Sequence, residues 1–167
     1  KLFKISRLTN PFKRYSQMKK ICKLNNYDII YFNISEAFNC ICNIAARHYS
    51  KATIITHSHS AGNDNKNMLK RKLFYYLHTI SKPILIKHTD KYYACSSIAG
   101  EWLFGKKILE EGKLRIINNT INTNRFKFNM KARIYVRTNF NISNEDIVLG
   151  FVGNFNYQKN IMFILKI

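Results

Sequence analysis

The chain has 167 residues, of which 46% are hydrophobic and 14% aromatic, and its 28 Lys and Arg against 9 Asp and Glu give a net charge of +19. That apolar content builds a core and excludes wholesale disorder, while no apolar run approaches the roughly 20 residues that span a bilayer. The positive excess points to an anionic partner, whether nucleic acid, an anionic membrane surface or a phosphorylated substrate. Part of it comes with a composition rich in Lys, Asn and Ile together.

Residues 1–7 lack the apolar segment of a secretory signal, no start methionine is present, and both ends are expected to be cut. Residues 11–24 read as a basic amphipathic helix, with Asn10 as cap and Pro11 at its first position. Residues 27–33 (YDIIYFN) read as a short apolar strand. A helix is expected over 35–49, carrying Ala37, Phe38, Ile41, Ile44 and Ala45 at helical spacing. The next strand, 51–56, breaks into His57-Ser58-His59-Ser60 and a polar loop, 61–65. A helix follows from 66 to about 80, with Ser81-Lys82-Pro83 expected to bend or restart it. Strand 91–95 (KYYAC) leads into a helix over 96–104 that Gly105 ends, and 113–117 (KLRII) is a fourth strand. Segment 118–145 loosens into polar, basic sequence with one helix near 130–140. A new strand then runs over 146–152 and ends in the loop 153–160, GNFNYQKN.

Strands alternating with helices predict a Rossmann-like α/β fold: a parallel sheet with helices on both faces, followed by the first strand and helix start of a second α/β domain. The expected division is 1–122, a connection over 123–145, and 146–167. The first four strands should be parallel members of one sheet, with 146–152 outside it.

In such sheets ligands bind beyond the carboxyl ends of the strands. His57 and His59 stand at that edge, two residues apart and so on one side of the chain. The bland alternative is a pair of polar loop caps, and two histidines do not make a zinc site, because His48 and His78 lie on other helices. Cys22, Cys40, Cys42 and Cys95 show no disulfide framework, read as buried thiols, and suit a reducing cytosol. Ser96 and Ser97 read as helix caps rather than nucleophiles, and Glu36 as a helix-start carboxylate.

Taken in order, YDIIYFN, the HSHS loop, YYACSSIAGEWLFG, RIINNTINTNRF and VLGFVGNFNYQKN resemble family 4 glycosyltransferases of the GT-B fold, in particular bacterial enzymes of exopolysaccharide and capsule synthesis. The resemblance covers nearly the whole chain. It implies a retaining, metal-independent transfer from a nucleotide-sugar donor to a polysaccharide or lipid-linked acceptor. The acceptor lies mainly on the first domain and the donor on the second. No cofactor is implied, the nucleotide-sugar being a substrate. Such enzymes hold the donor phosphates with a pattern like G-R-x-x-x-x-K, which here becomes Gly153, Asn154 and Lys159, with Asn154 in the place of the arginine. The helix expected near Asn160 would add backbone N–H groups. The family also places a histidine at the end of the second strand. His57 is favoured over His59. Asn122 stands where the family's linker usually ends in Asp, a turn-former.

Two other classes compete. A nucleic-acid-binding module would use the charge and the aromatics, yet those aromatics fall in expected cores and no nucleic-acid motif occurs. A non-catalytic remnant would fold and transfer nothing, and the paired-glutamate segment that holds the donor in this family is not among these residues. The resemblance also implies a cytoplasmic enzyme at the inner face of the cell membrane. The basic run 12–20 suits an anionic leaflet as well as it suits a solvated face.

Overall fold

Asn10 and Pro11 open α1 (Pro11–Leu24) in the computed structural model, which describes residues 2–7, 9–63, 65–155 and 159–166. The Lys13 N–H donates to Asn10 Oδ1 at 3.0 Å, and Pro11 occupies a position whose amide would have no helical partner. By packing, the chain divides into two compact units, Lys1–Asn119 and Thr120–Ile167.

In the first unit β1 (Ile29–Ile34), β2 (Thr53–Ser58), β3 (Lys91–Ala94) and β4 (Leu114–Ile116) form one parallel sheet in the order β1-β2-β3-β4. Parallel neighbours need long crossovers. These are α2 (Ile41–Tyr49), α3 (Met68–Lys87), and the pair α4 (Ser97–Phe104) and α5 (Lys106–Glu110). The expected α/β architecture, a parallel sheet flanked by helices, is therefore present. All four expected strands belong to it, each within two or three residues of its expected ends.

The register brings Ile30, Ile54, Phe32, Thr56, Tyr92 and Leu114 to one face. Both buried clusters lie there. Ile34, Cys40, Leu85, Leu103, Phe104 and Ile108 form one, and Met18, Cys22, Cys42, Ala45, Ala46 and Ile54 the other. Three of the four cysteines are thus buried, and all four are free thiols. A buried polar chain stitches this face. Asn43 Nδ2 donates to Thr56 Oγ1, Thr56 bonds Thr89 Oγ1, and Thr89 donates to the Leu85 carbonyl, at 2.8, 2.8 and 2.9 Å. The opposite face carries Tyr31, Asn33, His57, Tyr93 and Arg115, and Tyr31 is 43% exposed there.

Four expectations are corrected. The helix expected over 35–49 forms only from Ile41, after a single 3-10 turn at Ala37–Asn39. Tertiary hydrogen bonds hold the lead-in extended: the Ala37 N–H donates to His78 Nδ1 at 3.0 Å and Trp102 Nε1 donates to the Ser35 carbonyl at 2.9 Å. Next, α3 runs unbroken through Pro83 to Lys87. Pro83 and Thr79 are both exposed, so the carbonyl deprived of its amide partner faces water. Strand β2 continues through His57 to Ser58 because β1 and β3 flank it that far. Finally, the strand expected over 146–152 is not formed. A strand is made by a neighbour's hydrogen bonds, and among the described residues the second unit holds no other strand; Ile147, Leu149 and Val152 are exposed.

That second unit contains a 3-10 turn at Thr123–Phe126, α6 (Met130–Asn139) and the single turn α7 (Ile161–Ile164). Asn122 does form a turn, its side chain accepting from the Asn124 N–H at 3.1 Å. Arg137 ties α6 to the following segment by hydrogen bonds to the Ser143 and Asp146 carbonyls.

Candidate active site

Alternation along a strand sends every second residue to the same face. At the carboxyl edge of the sheet this brings together Tyr31 and Asn33 of β1, His57 of β2, Tyr93 of β3 and Arg115 of β4. His57 lies opposite Asn33 on one side and Tyr93 on the other, and is only 5% exposed. His59, just past the strand, is exposed and leans back over it, the two ring centroids 4.0 Å apart. The sequence expectation that the two histidines share one side of the chain is met.

Each imidazole is anchored. The Tyr31 hydroxyl is hydrogen-bonded to His57 Nδ1, and His59 Nε2 bonds Asn33 Oδ1 at 2.9 Å. A phenol is the better donor of the first pair, so Nδ1 accepts and the ring proton of His57 rests on Nε2. Nε2 is buried and completes no hydrogen bond among the described residues. Burial lowers the His57 pKa, its neighbour His59 lowers it further, and the Ala94 carbonyl partly offsets both. The ring is therefore neutral at pH 7, with its proton on Nε2 at the carboxyl edge of the sheet.

Arg115 and Tyr93 extend the group, with the guanidinium carbon 5.9 Å from the Tyr93 ring centroid. At the carboxyl end of β1 opens a cavity of about 480 Å³ whose lining includes Arg14, Asn33, Ser35, Glu36, Asn39 and Asn43. Burial raises the Glu36 pKa, and its Oε2 accepts from Asn39 Nδ2 at 3.3 Å. Glu36 precedes the 3-10 turn without capping it by a side-chain bond. A larger cavity, about 830 Å³, lies at the amino ends of β1 and β2, lined by Tyr27, Asp28, Ser50 and Lys51 among others. It is at the wrong end of a parallel sheet for the usual ligand crevice.

Sequence reasoning missed Tyr31, Asn33, Tyr93 and Arg115. Parity was the available signal for the first two, which alternate with the apolar Ile30, Phe32 and Ile34. Ser96 is the cap it was expected to be, its Oγ accepting from the Ala99 N–H at 3.2 Å, while Ser97 is the first residue of α4.

Gly153, Asn154 and Lys159 lie in the second unit, and all three are exposed. A Cβ at Gly153 would come within 2.9 Å of the outer end of the Phe151 ring, an exposed side chain that can turn aside. Residues 156–158 of the loop fall outside the described residues. Asn160 takes a left-handed conformation, φ 44°, immediately before the turn of α7. The helix expected near that position is thus one turn long.

Among the curated proteins and the solved structures, nothing matches the chain. The family model described as Glycosyltransferase Family 4 matches residues 1–125, which takes in the whole parallel sheet, every crossover helix and both histidines. A parallel α/β unit with polar side chains gathered at its carboxyl edge accords with that match, and the chain belongs to Glycosyltransferase Family 4.

Proposed function

We propose that the chain is part of a retaining, metal-independent glycosyltransferase that moves a hexose from a nucleotide-sugar to a glycan or lipid-linked acceptor in bacterial exopolysaccharide or capsule synthesis. Membership of Glycosyltransferase Family 4 carries this reading. In the reaction the bond between the anomeric carbon and the diphosphate breaks, and an acceptor hydroxyl forms the new bond and passes its proton to the departing diphosphate oxygen. The nucleotide diphosphate leaves with the bonding pair. His57 offers its Nε2–H to an oxygen of the donor sugar, and His59 lines the same edge. The residues 1–122 hold the acceptor side, 123–145 connect, and 146–167 begin the donor side. There Gly153 lets the chain approach the diphosphate and Lys159 neutralises its developing charge. Asn154 supplies a neutral hydrogen bond where an arginine would supply a charge. The reaction takes place in the cytoplasm at the inner membrane face.

Transfer of radiolabelled sugar from a panel of nucleotide-sugars to a lipid extract tests the reading. The 167 residues alone are expected to transfer nothing, because a GT-B reaction closes two domains around the donor. A form carrying a complete donor half is expected to be active. In it, His57→Ala or Lys159→Ala should cost about 100-fold in rate, and Asn154→Arg should leave activity unchanged or higher. Transfer by the short chain, or full activity in either alanine variant, would refute this assignment of roles.

A further inference from the structure

A helix that only covers a sheet should present polar residues to water, and α3 does not. Its inner face is set by Phe74, His78 and Leu85, of which the last two are fully buried. Half a helical turn away, Leu69, Leu73, Tyr76, Ile80 and Ile84 recur at intervals of four, three, four and four residues. That spacing makes a single stripe about 22 Å long. These side chains are 78%, 53%, 62%, 49% and 44% exposed.

The charge on α3 is as one-sided as its apolarity. Its twenty residues include Lys70, Arg71, Lys72, Lys82 and Lys87 and no Asp or Glu. The other basic helix, α1, lacks such a stripe: apart from Phe12 and Leu24 near its ends, its exposed positions are polar or charged, Pro11 excepted. The occupant of the α3 face must be apolar where it meets the stripe and anionic at its margins. A bilayer containing acidic lipids has both properties in one plane, and Tyr76 suits the headgroup level.

We infer that the outward face of α3 docks the protein on an anionic lipid bilayer, with Leu69, Leu73, Ile80 and Ile84 entering the acyl boundary, Tyr76 at the headgroup level, and Lys70, Lys72 and Lys87 meeting the headgroups. The inference stands apart from sugar transfer and needs no catalytic turnover. Lysine attraction alone would be screened away by salt, whereas an inserted apolar stripe persists in part.

Co-sedimentation with vesicles tests it on the 167-residue chain. Vesicles of phosphatidylcholine mixed with phosphatidylglycerol should bind the protein, and pure phosphatidylcholine should bind it far less. Part of the binding should survive raised salt. The double variant Leu73→Asn and Ile80→Asn, both at exposed positions, should keep its circular dichroism spectrum and lose about tenfold in vesicle affinity. The control Lys13→Gln with Lys20→Gln on α1 should lose less and keep the salt-resistant part. Three outcomes would overturn the inference: no binding to anionic vesicles, binding indifferent to the α3 variant, or a dimer in lipid-free sedimentation that the α3 variant dissolves. The last would make a second copy of the chain the occupant.

Discussion

His57 and His78 show how one residue type is used twice. His78 is fully buried: its Nδ1 accepts from the Ala37 N–H, its Nε2 bonds the Trp102 carbonyl at 2.7 Å, and its ring stacks on Trp102 with centroids 4.1 Å apart. Both polar atoms are spoken for, so His78 is structural. His57 instead stands at the carboxyl edge of the sheet, its Nδ1 held by the Tyr31 hydroxyl. Truncating His78 to Ala leaves a cavity and an orphaned amide, and should cost about 3 kcal/mol in urea denaturation. Burial lowers the pKa of both histidines. Below about 6.5 the unfolded chain takes up protons that the native state refuses. Stability is therefore full above that pH and should fall as the pH drops toward the native values. His78→Gln should flatten the urea midpoint's dependence on pH in that window. For Tyr31→Phe, nitrogen NMR should report a mixed His57 tautomer, and a transfer-competent form should lose about tenfold in kcat with little change in KM. The pair of histidines was legible because a β-branched run stops at them. Their partners were not, since a single strand does not announce which residues its neighbours will set beside it.

Among the elements, those with local signals were the ones read from sequence. Asn10-Pro11 fixed the start of α1, Ser96 capped α4, and Gly105, at φ 86°, ended it. Elements decided by distant contacts were misread. The late start of α2 depends on His78 and Trp102, both far along the chain, and α3 survives Pro83 because Thr79, whose carbonyl loses its amide partner, sits at an exposed position. The turn α5 follows Gly105 too closely to show a period of its own. Close packing between α4 and β4 gives a further test. A Cβ on Gly100 would fall 2.2 Å from Leu114 Cδ2. Gly100→Ala gains helix propensity but forces Leu114 aside, and the net cost should be about 1–2 kcal/mol by urea denaturation. The double variant Gly100→Ala with Leu114→Ala should recover less than it loses, because Leu114 packs against the buried cluster of Leu85, Leu103 and Phe104.

For the whole molecule, charge is the dominant property. A net charge of +19 should give weak, sequence-indifferent binding to DNA at low salt that collapses as salt rises. Fluorescence anisotropy with several unrelated duplexes checks this, and a tight complex with one defined sequence would revive the nucleic-acid reading. Among the described residues no helix is long and apolar enough to cross a membrane. The parallel α/β architecture was legible from alternation alone, whereas the fate of 146–152 was not, because strand propensity says nothing about whether a pairing partner is at hand. The order of the sheet, in which each strand lies beside its predecessor in sequence, bears on how readily it folds. Every pairing joins strands that follow one another along the chain, so each closes a loop no longer than one crossover. No strand has to wait for a partner from a distant part of the sheet, and short closures of this kind favour rapid folding.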